Sequence, residues 1–262
     1  MSVIVLNRSV IHYESLGRGR PVLFLHTWVG SWRYWVPSLQ VAAVSHSAYA
    51  LDFYGFGESA RDPSAYTIES QAALVGSFMD EMGIDRAALV GHGLGALVGL
   101  RFAGENPERI ARILAVGLPL EEAPSTLDLR ALGPDKLMTL LDSKGLNAGE
   151  LLPETHMIDP GALQLVPESG QIRRSISAMQ LAGISILIVN GAADPLLTPR
   201  APAGLPGFDT HVHEIVIPAT GHFPMLEAAD TFHRLMIDFL ALEPGVSPRE
   251  LRLKEEWRRH VR

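Results

Sequence analysis

The sequence predicts one α/β domain, a mostly parallel central sheet flanked by helices, and three observations carry that prediction. Apolar runs of strand length recur at residues 22–25, 48–53, 86–90, 110–117 and 184–190. Most are separated by stretches whose apolar residues follow helical spacing, the βαβ rhythm of a parallel sheet. Finally, Gly91-His92-Gly93-Leu94-Gly95 joins the third run directly to a helical stretch containing Leu97, Val98, Leu100 and Phe102. That is a strand, a sharp turn and a helix with nothing between them.

Taken in order, residues 3–6 and 10–13 read as an edge hairpin about Asn7-Arg8-Ser9. Residues 22–25 are apolar without alternation, which suits a strand covered on both faces, and they end in His26-Thr27-Trp28. Residues 31–44 place Trp32, Trp35, Leu39 and Ala43 at helical spacing. The strand at 48–53 runs into the loop Asp52-Phe53-Tyr54-Gly55-Phe56-Gly57-Glu58-Ser59. Thr67 is an N-cap candidate for an amphipathic helix over 67–82, with Ile68, Ala72, Val75 and Met79 on one face and Gly83 at its end. The helix after Gly95 runs to about Asn106, where Pro107 stops it. Later strands at 184–190 and 213–217 lead into Gly191-Ala192-Ala193-Asp194-Pro195 and Gly221-His222-Phe223-Pro224, and a helix over 225–240 closes the domain.

Residues 118–180 break the rhythm, with prolines at 119, 124, 134, 153, 160 and 167, short helical patches such as 135–142 and no clear strand. We read 119–180 as a helical lid over the carboxyl edge of the sheet, with a loosely packed connector as the alternative. The core is then 1–118 with 181–242, and 243–262 is a C-terminal extension. There, Ser247-Pro248-Arg249-Glu250 has the form of a capping box opening a helix to Arg262. Its stripe of Leu253, Trp257 and Val261 would dock a second copy, giving a homodimer, or fold back on its own domain.

Composition narrows the function classes. With 262 residues, 47% hydrophobic and 19% charged, the chain can bury a large core. A net charge of -7 gives no electrostatic basis for binding nucleic acid or an anionic membrane, so small-molecule or protein partners are expected. The absence of cysteine excludes disulfides, thiolate metal sites and a cysteine nucleophile, and fits a cytoplasmic location. No signal peptide is expected at the start, and no apolar run is long enough to span a bilayer.

The frame Gly91-x-Gly93-x-Gly95 has the outline of the G-x-S-x-G nucleophile elbow, with glycine in the central place. Read alone, such a motif is only a turn. Glycine adopts freely a backbone conformation that costs other residues about 1–3 kcal/mol. A glycine there is expected to relax the turn and leave a small space opposite His222. Natural divergence and an engineered disarming change both fit, and a second departure at Thr27 favours divergence.

Four further segments accompany the elbow: His26-Thr27-Trp28, Asp52-x-x-Gly55-x-Gly57-x-Ser59, Gly191-x-x-Asp194 and Gly221-His222. In this order the chain resembles the α/β-hydrolase fold superfamily to about Leu242, and most of all its small esterase, enol-lactonase and carbon-carbon hydrolase branches. The resemblance implies Gly93 at the nucleophile position, Asp194 as acid and His222 as base, with Glu121 or Glu122 a weaker alternative acid. A carboxylate on one imidazole nitrogen fixes the tautomer that lets the other accept a proton. By the same resemblance the backbone N–H groups of Trp28 and Leu94 form the oxyanion hole. His26, Thr27, Trp28, His92 and Phe223 are the candidate substrate contacts, and neither metal nor cofactor is implied. Thr27 stands where the family has glycine. Within the aromatic cluster of Trp28, Trp32, Tyr34 and Trp35, Trp28 is the candidate pocket wall, while Trp32 and Trp35 suit helix-to-sheet packing.

Three functions follow as expectations. The first is a hydrolase for a small ester, lactone or diketone carbonyl, either disarmed or using water activated by His222 and Asp194. The second is a lyase, isomerase or cofactor-free oxygenase in which His222 moves a proton. The third is a non-catalytic ligand-binding protein.

Overall fold

A computed structural model describes residues 2–118, 129–142, 145, 152–165, 171–197, 211–243 and 246–251. The strands are β1 (Ser2–Leu6), β2 (Ser9–Gly17), β3 (Arg20–Leu25), β4 (His46–Leu51), β5 (Ala87–His92), β6 (Ile110–Val116), β7 (Ser185–Gly191) and β8 (Val212–Ile217). They form an eight-stranded sheet in the order β1-β2-β4-β3-β5-β6-β7-β8. Pairing is antiparallel for β1 with β2 and β2 with β4, and parallel from β4 onward. Every residue of β5 is buried, as are Val22 to Leu25 of β3, which explains why these strands read as continuous apolar runs.

The helices are α1 (Val36–Ala42), α2 (Ile68–Glu81), α3 (Leu94–Glu105), α4 (Leu129–Leu141), α5 (Gln171–Leu181), α6 (Pro224–Glu227) and α7 (Ala229–Leu240). α3 packs between α2 and α5, while α1 packs against α7. Thr67 caps α2 by accepting from Ser70 N at 3.0 Å, and Gly83 leaves it with φ 64°. Asn7 and Arg8 turn the edge hairpin at φ 49° and 67°.

The expected long elements break where backbone chemistry demands it. The stretch 31–44 is a 3-10 turn, Trp32–Trp35, followed by α1, because Pro37 belongs in a first helical turn and not an interior. α4 is interrupted at Gly133, whose φ of 67° and ψ of 164° precede Pro134. The closing helix divides at Ala228 into α6 and α7.

Within the stretch read as a lid lie α4 and two 3-10 turns, Leu152–Met157 and Pro160–Gln164. Its last part behaves differently: α5 lies against α3, with Ser175 beside Gly104, and leads into β7. The boundary at 180 is thus corrected, since 171–181 belongs to the helices flanking the sheet. The capping box at Ser247 is corrected too. Ser247 Oγ accepts from Arg249 N at 3.2 Å in a one-turn 3-10 segment, and Leu251 is extended, so no continuous helix opens at Pro248. Leu253, Trp257 and Val261 lie outside the described residues, as do Glu121 and Glu122. Among the described residues, no helix is long and apolar enough to cross a membrane.

Candidate active site

Loops leaving the carboxyl ends of β3, β5, β7 and β8 converge, where open parallel sheets place their ligands. The glycines of the elbow are required by close approach. A Cβ on Gly91 would stand 2.5 Å from Gly95 O, and one on Gly95 would run into Leu25 O. Gly95 N donates to His26 O at 2.9 Å and Gly93 N to Val116 O at 2.9 Å, tying the turn to β3 and β6. Gly93 itself has φ 50° and ψ -109°.

Asp194 and His222 form a buried pair. Asp194 Oδ1 accepts from Leu196 N at 2.9 Å in a local turn, which leaves Oδ2 2.8 Å from His222 Nδ1. The carboxylate holds the proton on Nδ1, so the bare Nε2 faces outward from the pair. What it faces is Thr27 Oγ1, at 3.3 Å. A Cβ on Gly93 would overlap that hydroxyl and approach Trp28 Cζ3 to 3.0 Å. The expected space opposite His222 is therefore not open, because the Thr27 side chain fills it.

A second network fixes both ends of this contact. Thr27 N donates to Tyr34 Oη at 2.9 Å, Tyr34 Oη donates to His92 Nδ1 at 3.1 Å, and His92 Nε2 donates to the His222 carbonyl at 2.8 Å. Burial, then the neighbouring His222, pushes the His92 pKa well down, and burial pushes the Tyr34 phenol well up. Both residues stay neutral, as the network requires. Glu227 holds the histidine loop by accepting from Gly221 N at 2.8 Å and Phe223 N at 3.2 Å.

Two candidate substrate contacts are corrected on these grounds. His92 commits both ring nitrogens to Tyr34 and His222. His26 commits Nδ1 to its neighbour Thr27 O at 2.8 Å and Nε2 to Phe53 N at 3.0 Å, with its ring between Phe53 and Phe56. They position loops and leave no polar atom for a ligand. Phe223 is buried edge-on against His92 and His222, with ring centroids 5.2 and 5.3 Å away. The backbone N–H groups of Trp28 and Leu94 have no hydrogen-bond partner among the described residues. Leu94 N also opens α3, where helix geometry leaves N–H groups unsatisfied.

The Asp52 loop serves as scaffold. Asp52 accepts from Trp32 N at 2.8 Å and Glu58 N at 3.0 Å, and any side chain on Gly57 would run into its carboxylate. Trp35 is fully buried against Phe24 as expected for packing, and Trp32 packs with its ring tilted against that of His12. Segment 152–165 is strapped over the loops after β3 and β4. Ser31 Oγ donates to Glu154 at 2.5 Å, Tyr66 Oη to Asp159 at 2.8 Å, and Trp28 Nε1 to Leu165 O at 2.8 Å. The sequence reading did not assign Tyr34 and Glu227 these roles. Glu227 follows the histidine loop within one turn, the distance over which a carboxylate reaches back to N–H groups ahead of a helix. Among the described residues, no group of three or more His, Cys, Asp or Glu side chains could hold a metal ion.

This fold and site define a class, and comparison agrees. Residues 20–150 match the family model described as alpha/beta hydrolase fold, and the chain belongs to that family. It is 28% identical over 261 residues to a putative carbamate hydrolase, RutD, of Klebsiella pneumoniae (strain 342), covering 89% of this chain and 96% of that one. Among solved structures, the enol-lactonase from Burkholderia xenovorans LB400 superposes with a TM-score of 0.74 at 18% identity, covering 92% of this chain and all of the other. A serine-to-glycine mutant of the N-acyl homoserine lactonase AidH, complexed with N-hexanoyl homoserine lactone, does so at 0.72 and 21%, over 91% and 96%. At these identities the structural likenesses show the shared fold.

Proposed function

We propose that this protein is a hydrolase acting on a small ester, lactone or related carbonyl compound, with His222 as base and Asp194 as its orienting acid. One observation carries the reading: a buried carboxylate fixes the tautomer of an imidazole whose other nitrogen faces the Thr27 hydroxyl, in the space beside Gly93. A pure receptor does not need a tuned acid–base pair. Gly93 occupies the nucleophile position without a side chain, and the N–H groups of Trp28 and Leu94 suit an oxyanion held by main-chain donors. Similarity to a putative carbamate hydrolase across most of the chain supports hydrolysis of a small carbonyl substrate.

Thr27 and His222 are fully buried, and Trp28 bridges to Leu165 above them. Segment 152–165 is thus the part of the proposed lid that must move for substrate to enter. The reading is tested by following hydrolysis of p-nitrophenyl acetate and γ-butyrolactone by the wild type and His222→Gln. Turnover that the substitution lowers at least about 1000-fold is expected. Absence of turnover of both compounds by the folded wild type would contradict it.

A further inference from the structure

We infer that the nucleophile of this site has moved off the elbow, and that Thr27 Oγ1 is the hydroxyl which the Asp194–His222 pair activates. The inference rests on the hydrolase reading above and names the residue that forms its covalent intermediate. Three observations meet at Thr27. Its hydroxyl is 3.3 Å from His222 Nε2, the nitrogen that the Asp194 carboxylate leaves bare. It fills the volume that a side chain on Gly93 would need, so residues 27 and 93 exclude one another and the glycine is the partner of the threonine. Its backbone is fixed through Tyr34 Oη, which is itself locked to His92 and through it to the His222 carbonyl. A residue that merely plugged a gap would need none of this anchoring to the base it faces.

The donors fit the same role. In this fold the N–H following the nucleophile helps hold the oxyanion. Trp28 follows Thr27, its N–H is without a partner among the described residues, and so is that of Leu94 beyond Gly93. In the first step Thr27 Oγ1 bonds to the substrate carbonyl carbon while its proton passes to His222 Nε2, and the carbonyl π electrons move onto the oxygen. Collapse expels the alcohol, which leaves with that proton, and an acyl-threonine remains. Water then attacks the acyl carbon, giving its proton to His222, and Thr27 departs taking that proton back. The sum is ester plus water to acid plus alcohol, with the enzyme restored; a lactone opens to its hydroxy acid. The β-methyl of threonine crowds the acyl group, so short acyl chains are favoured.

The test combines a covalent probe with three variants. Wild-type protein treated with a fluorophosphonate is mapped by peptide mass spectrometry, and the same protein is assayed with p-nitrophenyl acetate. One adduct per chain at Thr27 is expected, retained in Thr27→Ser and lost in His222→Gln and in the near-isosteric Thr27→Val. Hydrolysis should fall at least about 1000-fold in Thr27→Val and persist in Thr27→Ser. His222-dependent hydrolysis that proceeds undiminished in Thr27→Val, or an adduct at another residue, overturns the inference. The hydrolase reading then stands, with water as the nucleophile in the first case and the labelled residue in the second. A folded wild type that neither hydrolyses ester or lactone nor takes the probe at Thr27 removes both. If Thr27→Val does not fold, the position of the adduct in the wild type decides alone.

Discussion

Among the described residues two buried histidines each meet an aspartate, and their surroundings separate a base from a strut. His222 Nδ1 lies 2.8 Å from Asp194 and its other nitrogen meets a neutral hydroxyl. His12 Nδ1 lies 3.2 Å from Asp52, but its Nε2 is 3.5 Å from Glu14 and 3.8 Å from Glu58. Burial alone would lower the His12 pKa; the carboxylates of Asp52, Glu58 and Glu14 outweigh burial and raise it. An imidazole ringed by acids has its doubly protonated form favoured and ties β2 to the Asp52 loop. One that faces a hydroxyl keeps a lone pair to use. Chemistry is decided by the third neighbour, since the His–Asp contact is common to both.

Asp194→Asn should have the largest effect, lowering kcat by about 10,000-fold as the wrong tautomer is held, with little loss of stability. Steady-state kinetics beside thermal melts check this. Asp52→Ala should do the reverse. It strands the N–H groups of Trp32 and Glu58 and removes the carboxylate beside His12, costing about 3 kcal/mol, a fall in Tm on the order of 10 °C. Activity per folded molecule should change far less than in Asp194→Asn. If the two substitutions affected rate and stability alike, the distinction between base and strut would be lost.

The glycine frame, the strands and the Asp194 and His222 loops are legible because each is local. Apolar runs bounded by turn residues mark strands, and short glycine-bearing loops mark places where backbones must pass closely. The Thr27–His222 contact is not legible, because it joins residues 195 positions apart through a side-chain direction that no periodicity encodes. Thr27 reads in sequence as a departure from pattern, and only geometry shows that it complements Gly93. Tyr34 was hidden similarly: in sequence it is one aromatic among four, whereas in space its hydroxyl joins Thr27 to His92. His26 and His92 misled for the opposite reason, since histidine near a site suggests chemistry until both its nitrogens are accounted for.

The acid-side stability of the protein sharpens the comparison with a smaller effect. Burial lowers the pKa of His26, His46, His92, His213 and His233 below 6.5 in the folded state, so the unfolded chain binds more protons as pH falls through that value. Stability should decline below about pH 6.5. His12 works in the other direction: its raised pKa contributes stability that is fully present below 6.5 and is lost as pH rises through the folded value. His12→Gln should therefore remove a gain in stability that the wild type shows as pH falls from above the folded value toward 6.5, and leave the slope of the decline below 6.5 nearly unchanged, both measured by urea unfolding. The same stability change above pH 6.5 in wild type and variant would show that folding does not raise the His12 pKa.

The most direct test of the account is the tautomer of each ring, read from long-range proton–nitrogen correlation NMR of protein labelled with nitrogen-15 in histidine. At about pH 8 His222 should carry its proton on Nδ1 and leave Nε2 bare, while His12 should be the ring that keeps both protons to the highest pH. Thr27→Val should shift the His222 Nε2 resonance and leave that of His12 in place. A His222 ring protonated on Nε2, or one whose Nε2 resonance ignores the loss of the Thr27 hydroxyl, would contradict the claim that this pair is a base poised on Thr27.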